Sequence, residues 1–398
     1  MESQHLSENR FKFHGKTDEY FGIWIVNVLL SIVTLGIYSA WAKVRNKQYF
    51  YGNSELAGER FEYLAKPLQI LLGRIIAVTL VIIWAVSPMI NELLQVVLML
   101  AFVAVMPVLV VKNLRFDSRV TRYRNVRFDF VGSYGGAYMA LMVMPFLAMV
   151  ILGLVATLLI GIGNVISPVL SGILGVLVFA IGGTYFYAFM ATYMSRYVLN
   201  NYQWGSMKFT ADIESAAMFK IFLKAAAVGL GGVLALCLVG ALLAFALFNA
   251  DFSQLGAMFA SLEQGGAEEL AAGGALVGIF MLIYLSFFLL GWFVTAYLKA
   301  CLRNYQFGQT DIEGQLFMVS SVKPLAFMGV MLSNMLIIVF SFGLATPVAK
   351  VRMAKFLAQA TAVQGDIEII ATNNQVSDSK TAIADEVADA FSVEIGVI

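Results

Sequence analysis

The residues best suited to chemistry in this chain are four basic side chains in a duplicated motif. The tetrapeptide Ala-Lys-Val-Arg begins at position 42 and again at position 349. Ammonium and guanidinium groups beside a bilayer attract anionic headgroups, by about 1 kcal/mol each. Two interpretations are open: the copies anchor the chain to headgroups, or they converge into one basic ring that binds an anionic solute or a lipid substrate. The residues concerned are Lys43, Arg45, Lys350 and Arg352.

An asparagine precedes each copy of the motif at the same distance, Asn27 before the first and Asn334 before the second. Both lie in apolar segments, where a buried amide requires a hydrogen-bond partner. The amides therefore form interhelical hydrogen bonds, worth about 0.6–2 kcal/mol each, or they line a shared polar site. Between each asparagine and its motif the sequence predicts a turn, formed by Thr34 and Gly36 in one copy and Ser341 and Gly343 in the other.

Arg74 is the remaining candidate, because it lies about two turns inside an apolar segment. An ionisable residue at membrane depth suggests function, whereas a long side chain near a helix end can extend to the headgroups instead. The sequence contains no phosphate-binding glycine loop, no HExxH, no GxSxG and no paired Cys/His metal spacing. We therefore expect no enzymatic activity, no catalytic residue, no cofactor and no metal.

Composition identifies the environment in which these residues work. Hydrophobic residues make up 60% of the 398 and charged residues only 13%, about half the charged share of a soluble domain. Mean hydropathy is +0.82, and apolar runs long enough to span a bilayer recur along the chain. The net charge of +1 gives no reason to expect a nucleic-acid partner.

Eight apolar segments are candidates for membrane spans: 21–42, 68–87, 89–111, 137–160, 165–194, 216–248, 273–300 and 325–348. The connections after the first, third, fifth and seventh hold nearly all of the Lys and Arg, which predicts that these connections are cytoplasmic. Both terminal tails are also basic, and eight full spans would place both tails outside. The end segments are interrupted at their glycines, and each apolar half covers only about 20 Å. We therefore expect both end segments to be re-entrant and both termini to be cytoplasmic, with eight ordinary spans as the alternative.

The predicted fold is an all-α polytopic membrane protein, with six to eight membrane helices arranged as repeated hairpins. Short cytoplasmic β-strands or hairpins join them, since segments such as Arg60-Phe61-Glu62-Tyr63 alternate polar and aromatic residues. The predicted membrane domain covers 1–364, with paired end segments 21–45 and 327–352 as an internal repeat. Its three long hairpins are 68–111, 137–194 and 216–300, and an acidic soluble tail follows at 365–398.

Several stretches resemble a known family. They are Phe11-x-Phe13-x-Gly15, the run from Thr34 to Arg45, Gly58-Glu59-Arg60-Phe61-Glu62-Tyr63, the run from Arg127 to Tyr134, and Ala388-Asp389-Ala390-Phe391. Together they are similar to the bacterial YjgN family of inner-membrane proteins, and the similarity extends over nearly the whole chain. The resemblance implies a bacterial inner-membrane location and implies no biochemical activity.

Two functions follow as hypotheses. The first is a transporter or channel for a small solute, ion or lipid through a pseudo-symmetric central site. The second is a non-catalytic scaffold that organises the envelope or binds lipid, and a lipid-modifying enzyme is disfavoured by the missing acid–base pairs. The expected partners are membrane lipids, through anionic headgroups at the cytoplasmic face, and a further copy of the chain, since the small-residue run 229–232 permits close helix contacts.

Overall fold

The computed structural model describes residues 7–248 and 267–367 of the chain. Its α-helices are α1 Thr17–Val33, α2 Ser39–Gly52, α3 Pro67–Val86, α4 Glu92–Arg119, α5 Tyr134–Tyr138, α6 Met144–Ile166, α7 Pro168–Leu177, α8 Gly183–Leu199, α9 Ser215–Phe248, α10 Ala267–Gly308, α11 Pro324–Phe340 and α12 Thr346–Gln359. Its strands are β1 Glu8–Arg10, β2 Lys12–Phe13, β3 Ser54–Leu56, β4 Glu59–Tyr63, β5 Thr121–Tyr123, β6 Val126–Phe130, β7 Tyr202–Trp204, β8 Met207–Ala211, β9 Thr310–Ile312, β10 Leu316–Ser320 and β11 Thr361–Gln364.

Six helical segments are long and apolar enough to cross a bilayer, judged on the described residues: Pro67–Met89, Glu92–Arg119, Tyr134–Ile166, Pro168–Leu199, Ser215–Leu243 and Met281–Gly308. Two of them contain single π-helical turns, at Met139–Val143 and Val178–Gly182. Their starts follow from local chemistry. Proline, which has no N–H to leave unpaired, begins several helices, and the Ser167 hydroxyl caps α7 by accepting from the Leu170 amide.

The strands form one antiparallel sheet that closes on itself. The strand order is β1-β11-β10-β9-β8-β7-β6-β5-β4-β3-β2. The two strands at the ends of this order are consecutive in the chain and are separated only by Phe11, whose amide donates to the Thr361 carbonyl at 3.1 Å. A single N-terminal segment therefore pairs with β11 on one side and β3 on the other, and we call the result the sheet ring.

The interior of the sheet ring is packed with apolar side chains. Buried residues of eight strands and of the segment after β11 form this core: Leu56, Tyr123, Val126, Trp204, Met207, Ile312, Leu316, Val363 and Ile367. Partly buried phenylalanines complete it. Phe61 stacks on Tyr123 at 4.6 Å between ring centroids, and Tyr123 packs against the tilted Trp204 ring at 5.5 Å. The ring therefore has a filled core rather than an open channel.

The helices leave and rejoin the sheet ring as five helical hairpins. Each β-hairpin joins the end of one helical hairpin to the start of the next. The first helical hairpin, α1–α2, begins after β2 and ends at β3, and these two strands pair with each other. The last, α11–α12, begins after β10 and ends at β11, and these strands also pair. Both short hairpins therefore return to the part of the sheet from which they started.

The expectation of an all-α fold is wrong, because eleven strands form a closed sheet that is a substantial part of the described chain. The predicted strands exist, but they are not separate links between helices. Strands of two to five residues scarcely register in a hydropathy window of about 19 residues. The predicted acidic tail lies outside the described residues, apart from its first three positions.

Candidate functional site

The two short hairpins end in turns with the same geometry. We call Thr34–Tyr38 tip 1 and Ser341–Ala345 tip 2. In tip 1 Leu35 and Gly36 have φ of 50° and 91°, and in tip 2 Phe342 and Gly343 have φ of 51° and 87°. Positive φ at a leucine and a phenylalanine is uncommon and is sustained only where the surrounding bonds fix it.

Equivalent hydrogen bonds fix both tips. The Gly36 amide donates to the Ser31 carbonyl at 2.7 Å, and the Gly343 amide donates to the Ile338 carbonyl at 2.8 Å. These bonds satisfy carbonyls that the end of a helix would otherwise leave unpaired. The predicted hydroxyl residues also take part: Thr34 Oγ1 accepts from the Tyr38 amide, and Ser341 Oγ accepts from the Ala345 amide, each at 2.9 Å.

Both tips expose large apolar side chains. Leu35 is 95% exposed and Phe342 is 96% exposed. The apolar residues before each turn, Val33 and Phe340, are also largely exposed. Bulky apolar groups held at the end of a rigid turn require an apolar environment to cover them.

The two predicted asparagines each fasten their own hairpin. Asn27 Nδ2 donates to Asn46 Oδ1 at 3.2 Å, joining α1 to α2. Asn334 Nδ2 donates to the Ala349 carbonyl at 3.0 Å, joining α11 to α12. Both amides are buried, and within the described part of the chain neither Oδ1 has a hydrogen-bond partner.

Each arginine of the duplicated basic motif contacts a residue of its own hairpin. Arg45 lies over the Tyr38 ring at 5.8 Å, and Arg352 donates to Ser333 Oγ at 3.1 Å. Over residues 7–248 and 267–367, each arginine makes these contacts within its own hairpin. Lys350 is exposed and Lys43 is partly buried.

Arg74 connects the first short hairpin to a long helix. Its Nη1 donates to the hydroxyl of Ser39, which begins α2 directly after tip 1. Ser39 Oγ in turn contacts the Gly36 carbonyl. Arg74 therefore marks the point along α3 that is level with tip 1.

Sequence reasoning missed a polar layer where the helices meet the sheet ring. Every strand that follows a helix directly begins with a hydroxyl residue: Ser54, Thr121, Tyr202, Thr310 and Thr361. In four of the five the hydroxyl donates to the carbonyl four residues earlier. The recurrence of a hydroxyl residue after the last helix of each helical hairpin was the sequence signal for this layer. We call these five residues the hydroxyl rim.

Charged and polar groups lie against the hydroxyl rim. Lys47 and Asp117 form an ion pair at 2.6 Å. Burial, with the nearby Asp117 charge as a smaller cause, raises the pKa of the Tyr202 phenol, which is hydrogen-bonded with Ser118. On the opposite part of the rim Arg303 Nη2 donates to Thr361 Oγ1 at 3.0 Å.

Comparison with known proteins identifies the family. Residues 8–390 match the family described as "Bacterial protein of unknown function (DUF898)". The chain is 29% identical over 375 residues to the inner membrane protein YjgN of Salmonella typhimurium, covering 91% of this chain and 90% of that protein. It is 33% identical over 147 residues to the inner membrane protein YjgN of Escherichia coli O157:H7, and 32% identical over 147 residues to that of strain K12.

Each Escherichia coli match covers 36% of both chains, so the aligned region spans about a third of those two relatives. No solved structure matches the chain. The relatives are named inner membrane proteins, which agrees with six helices long and apolar enough to cross a bilayer. The family match over nearly the whole chain confirms the resemblance seen in the sequence: this chain belongs to the YjgN-like family of bacterial proteins of unknown function.

Proposed function

We propose that this protein is a non-catalytic membrane scaffold that inserts two apolar tips into the cytoplasmic leaflet and organises the lipid around them. The observation that carries the proposal is the pair of tips, which share one geometry and present Leu35 and Phe342 almost fully exposed. A leucine or a phenylalanine loses roughly 1.5–3 kcal/mol of favourable transfer free energy when left in water. Lipid is the apolar environment that would cover both.

The depth of tip 1 follows from Arg74. The helix α3 begins at Pro67, and seven residues at 1.5 Å each place Arg74 about 10 Å along it. From there α3 continues to Val86 for about another 18 Å. A tip level with Arg74 therefore penetrates a minor part of a hydrocarbon core that is about 30 Å thick. This supports a re-entrant hairpin over a full span.

The sidedness of the proposal rests on charge and pairing. The basic connections belong to the sheet ring and the adjoining helix ends, and such connections are cytoplasmic by the positive-inside rule. The strand at each end of the described chain lies in that ring, where Glu8 pairs with Gln364. A cytoplasmic ring would therefore hold both strands on the cytoplasmic side, and Lys43 and Lys350 would face anionic headgroups.

Transport through a central site draws less support. The interior of the sheet ring is filled by residues such as Trp204 and Tyr123, and Asn27 and Asn334 are each bonded within their own hairpin. Vesicles that contain the protein should therefore leak ions and small solutes no faster than protein-free vesicles. Protein-dependent flux that Asn27→Ala and Asn334→Ala abolish would restore the transport hypothesis.

Spin-label accessibility tests the depth of the tips. In a background with Cys237→Ala and Cys301→Ala, a nitroxide is attached to Leu35→Cys or Phe342→Cys in reconstituted vesicles. Two control sites bracket the expected result: Leu80→Cys on the exposed face of α3, and Ser206→Cys at an exposed turn of the sheet ring. Oxygen, which concentrates in lipid, and a water-soluble nickel chelate serve as relaxation agents.

We expect both tip labels to be accessible to oxygen and protected from the chelate, at a depth between those of the two controls. Chelate accessibility equal to that of the Ser206 label would place the tips in water and refute the proposal. Labels that react from the periplasmic side would also refute it, because the end segments would then be full spans.

A further inference from the structure

Arg303 occupies an unusual position among the basic residues of this chain. It lies near the end of α10, and its side chain extends to Thr361, the first residue of β11 and a buried member of the hydroxyl rim. Its guanidinium lies 4.2 Å from the centroid of the buried Phe307 ring. The group is therefore held between an aromatic face and the helix-side edge of the sheet ring.

The Arg303 guanidinium has few hydrogen-bond acceptors among the described residues around it. Thr361 Oγ1 is the one hydrogen-bond acceptor that the described residues supply to it. Among residues 7–248 and 267–367, its enclosed Nε has no hydrogen-bond partner and no carboxylate lies within ion-pairing distance of the group. A guanidinium presents five N–H donors, so most of its donors have no acceptor among the residues that the structure describes.

Other arginines of the same layer donate to backbone carbonyls or pair with a carboxylate. Arg115 donates to the carbonyls of Phe130 and Gly132, each at 3.2 Å. Arg196 donates to the Ile213 carbonyl at 2.6 Å, and Arg119 pairs with Asp129 at 2.9 Å. Arg303 has neither a carbonyl nor a carboxylate among the described residues.

We propose that Arg303, with Thr361, forms a binding site for a phosphate group at the helix-side edge of the sheet ring. A guanidinium pairs with phosphate oxygens through two parallel hydrogen bonds, which would use Nη donors that have no further acceptor among the described residues. The Phe307 ring covers one side of the guanidinium, and the Thr361 hydroxyl fixes one of its nitrogens. A charge that is partly removed from water is costly without a counter-ion, so an anion at this position stabilises the folded chain.

The phosphate could belong to an anionic phospholipid or to inorganic phosphate, since both present the same oxygens. Lys299 lies one helical turn before Arg303 and is exposed. It supplies a matched control, because it tests general electrostatic attraction on the same helix without the rim contact. The site is independent of the two tips, so its failure would leave the proposed function standing.

The test measures thermal unfolding of the full-length protein in phosphatidylcholine nanodiscs. One arm adds inorganic phosphate against sodium chloride of equal ionic strength, and the other replaces part of the phosphatidylcholine with phosphatidylglycerol. The variants are Arg303→Gln, Arg303→Lys and Lys299→Gln. We expect at least one arm to raise the unfolding midpoint of the wild type and of Lys299→Gln by roughly 2–4 °C, and to leave Arg303→Gln unchanged.

The arm that responds identifies the source of the phosphate. Equal responses of Arg303→Gln and the wild type would overturn the proposal, and so would a wild type that responds in neither arm. If Arg303→Gln does not fold, Arg303→Lys decides, because lysine keeps the charge but loses the planar fork. It should need at least tenfold more ligand for the same shift, and an unchanged requirement would also overturn the proposal.

Discussion

The sheet ring and the six long helices keep apolar side chains out of water in different ways. In the ring, strands of two to five residues bury aromatic and aliphatic groups against each other, and Trp204 is 4% exposed. Along the long helices most large apolar residues are exposed, as Trp84 is at 41%, so lipid must cover them. The hydropathy pattern therefore marks the part of the chain that faces lipid. The ring instead has a buried apolar core like that of a water-soluble protein.

The largest difference in stability is expected between a tryptophan removed from the sheet ring and a tryptophan removed from a long helix. Trp204→Ala should destabilise the protein by about 3–5 kcal/mol, because it empties the ring core and removes a hydrogen bond to the Tyr123 carbonyl. Trp84→Ala on α3 should change stability by about 0.5 kcal/mol. Denaturant unfolding in detergent checks both. Equal losses would show that the ring core is not the main source of stability.

A smaller loss of stability is expected when a methyl group is added where the ring meets a helix. A Cβ at Gly132 would lie 2.4 Å from Phe130 Cε1 and 2.8 Å from the Tyr197 hydroxyl. Because the Phe130 ring is fully buried, Gly132→Ala should cost about 1–3 kcal/mol through overpacking. Gly135→Ala is the control, since its Cβ would meet nothing within 4 Å. A Gly132→Ala midpoint equal to that of the control would contradict the packing.

Within the short hairpins, the stability cost of Gly→Ala should be larger at the tips than inside a helix. Gly36→Ala and Gly343→Ala force an L-residue to φ near 90°, which should cost about 1–2 kcal/mol in each case. Gly329→Ala, in the interior of α11 with open space around it, should be neutral or slightly stabilising. Thermal unfolding in nanodiscs measures all three. Tips that tolerate alanine would indicate that the turn geometry is not required for folding.

The smallest effect concerns the asparagine pair of the first hairpin. In a double-mutant cycle with Asn27→Ala and Asn46→Ala, the coupling free energy should be about 0.6–2 kcal/mol. The cycle measures the pair alone, because the effect of each single substitution on its other neighbours cancels. Additive losses would indicate that the 3.2 Å contact contributes nothing to stability.

Much of the helical architecture could be predicted from sequence, because a long apolar run has few alternatives to a membrane helix. The family resemblance was also carried by the sequence and is confirmed. Closure of the sheet was not predictable, since pairing of Glu8 with Gln364 depends on contacts between segments that are far apart in the sequence. Arg303 was equally inconspicuous, because in sequence it is one more basic residue at a helix end, and only its surroundings distinguish it from Arg196.

Closure through the N-terminal segment also constrains the order of events during synthesis. Ser7 and Gly365, which are bonded in the finished ring, lie 358 positions apart in the chain. The segment that carries β1 is synthesised before β11, so the ring can be completed only after the last long hairpin has been made. Until then β1 and the growing edge of the sheet have unpaired backbone groups, which readily bind other strands. Biogenesis of this protein therefore includes a late pairing of β1 with β11.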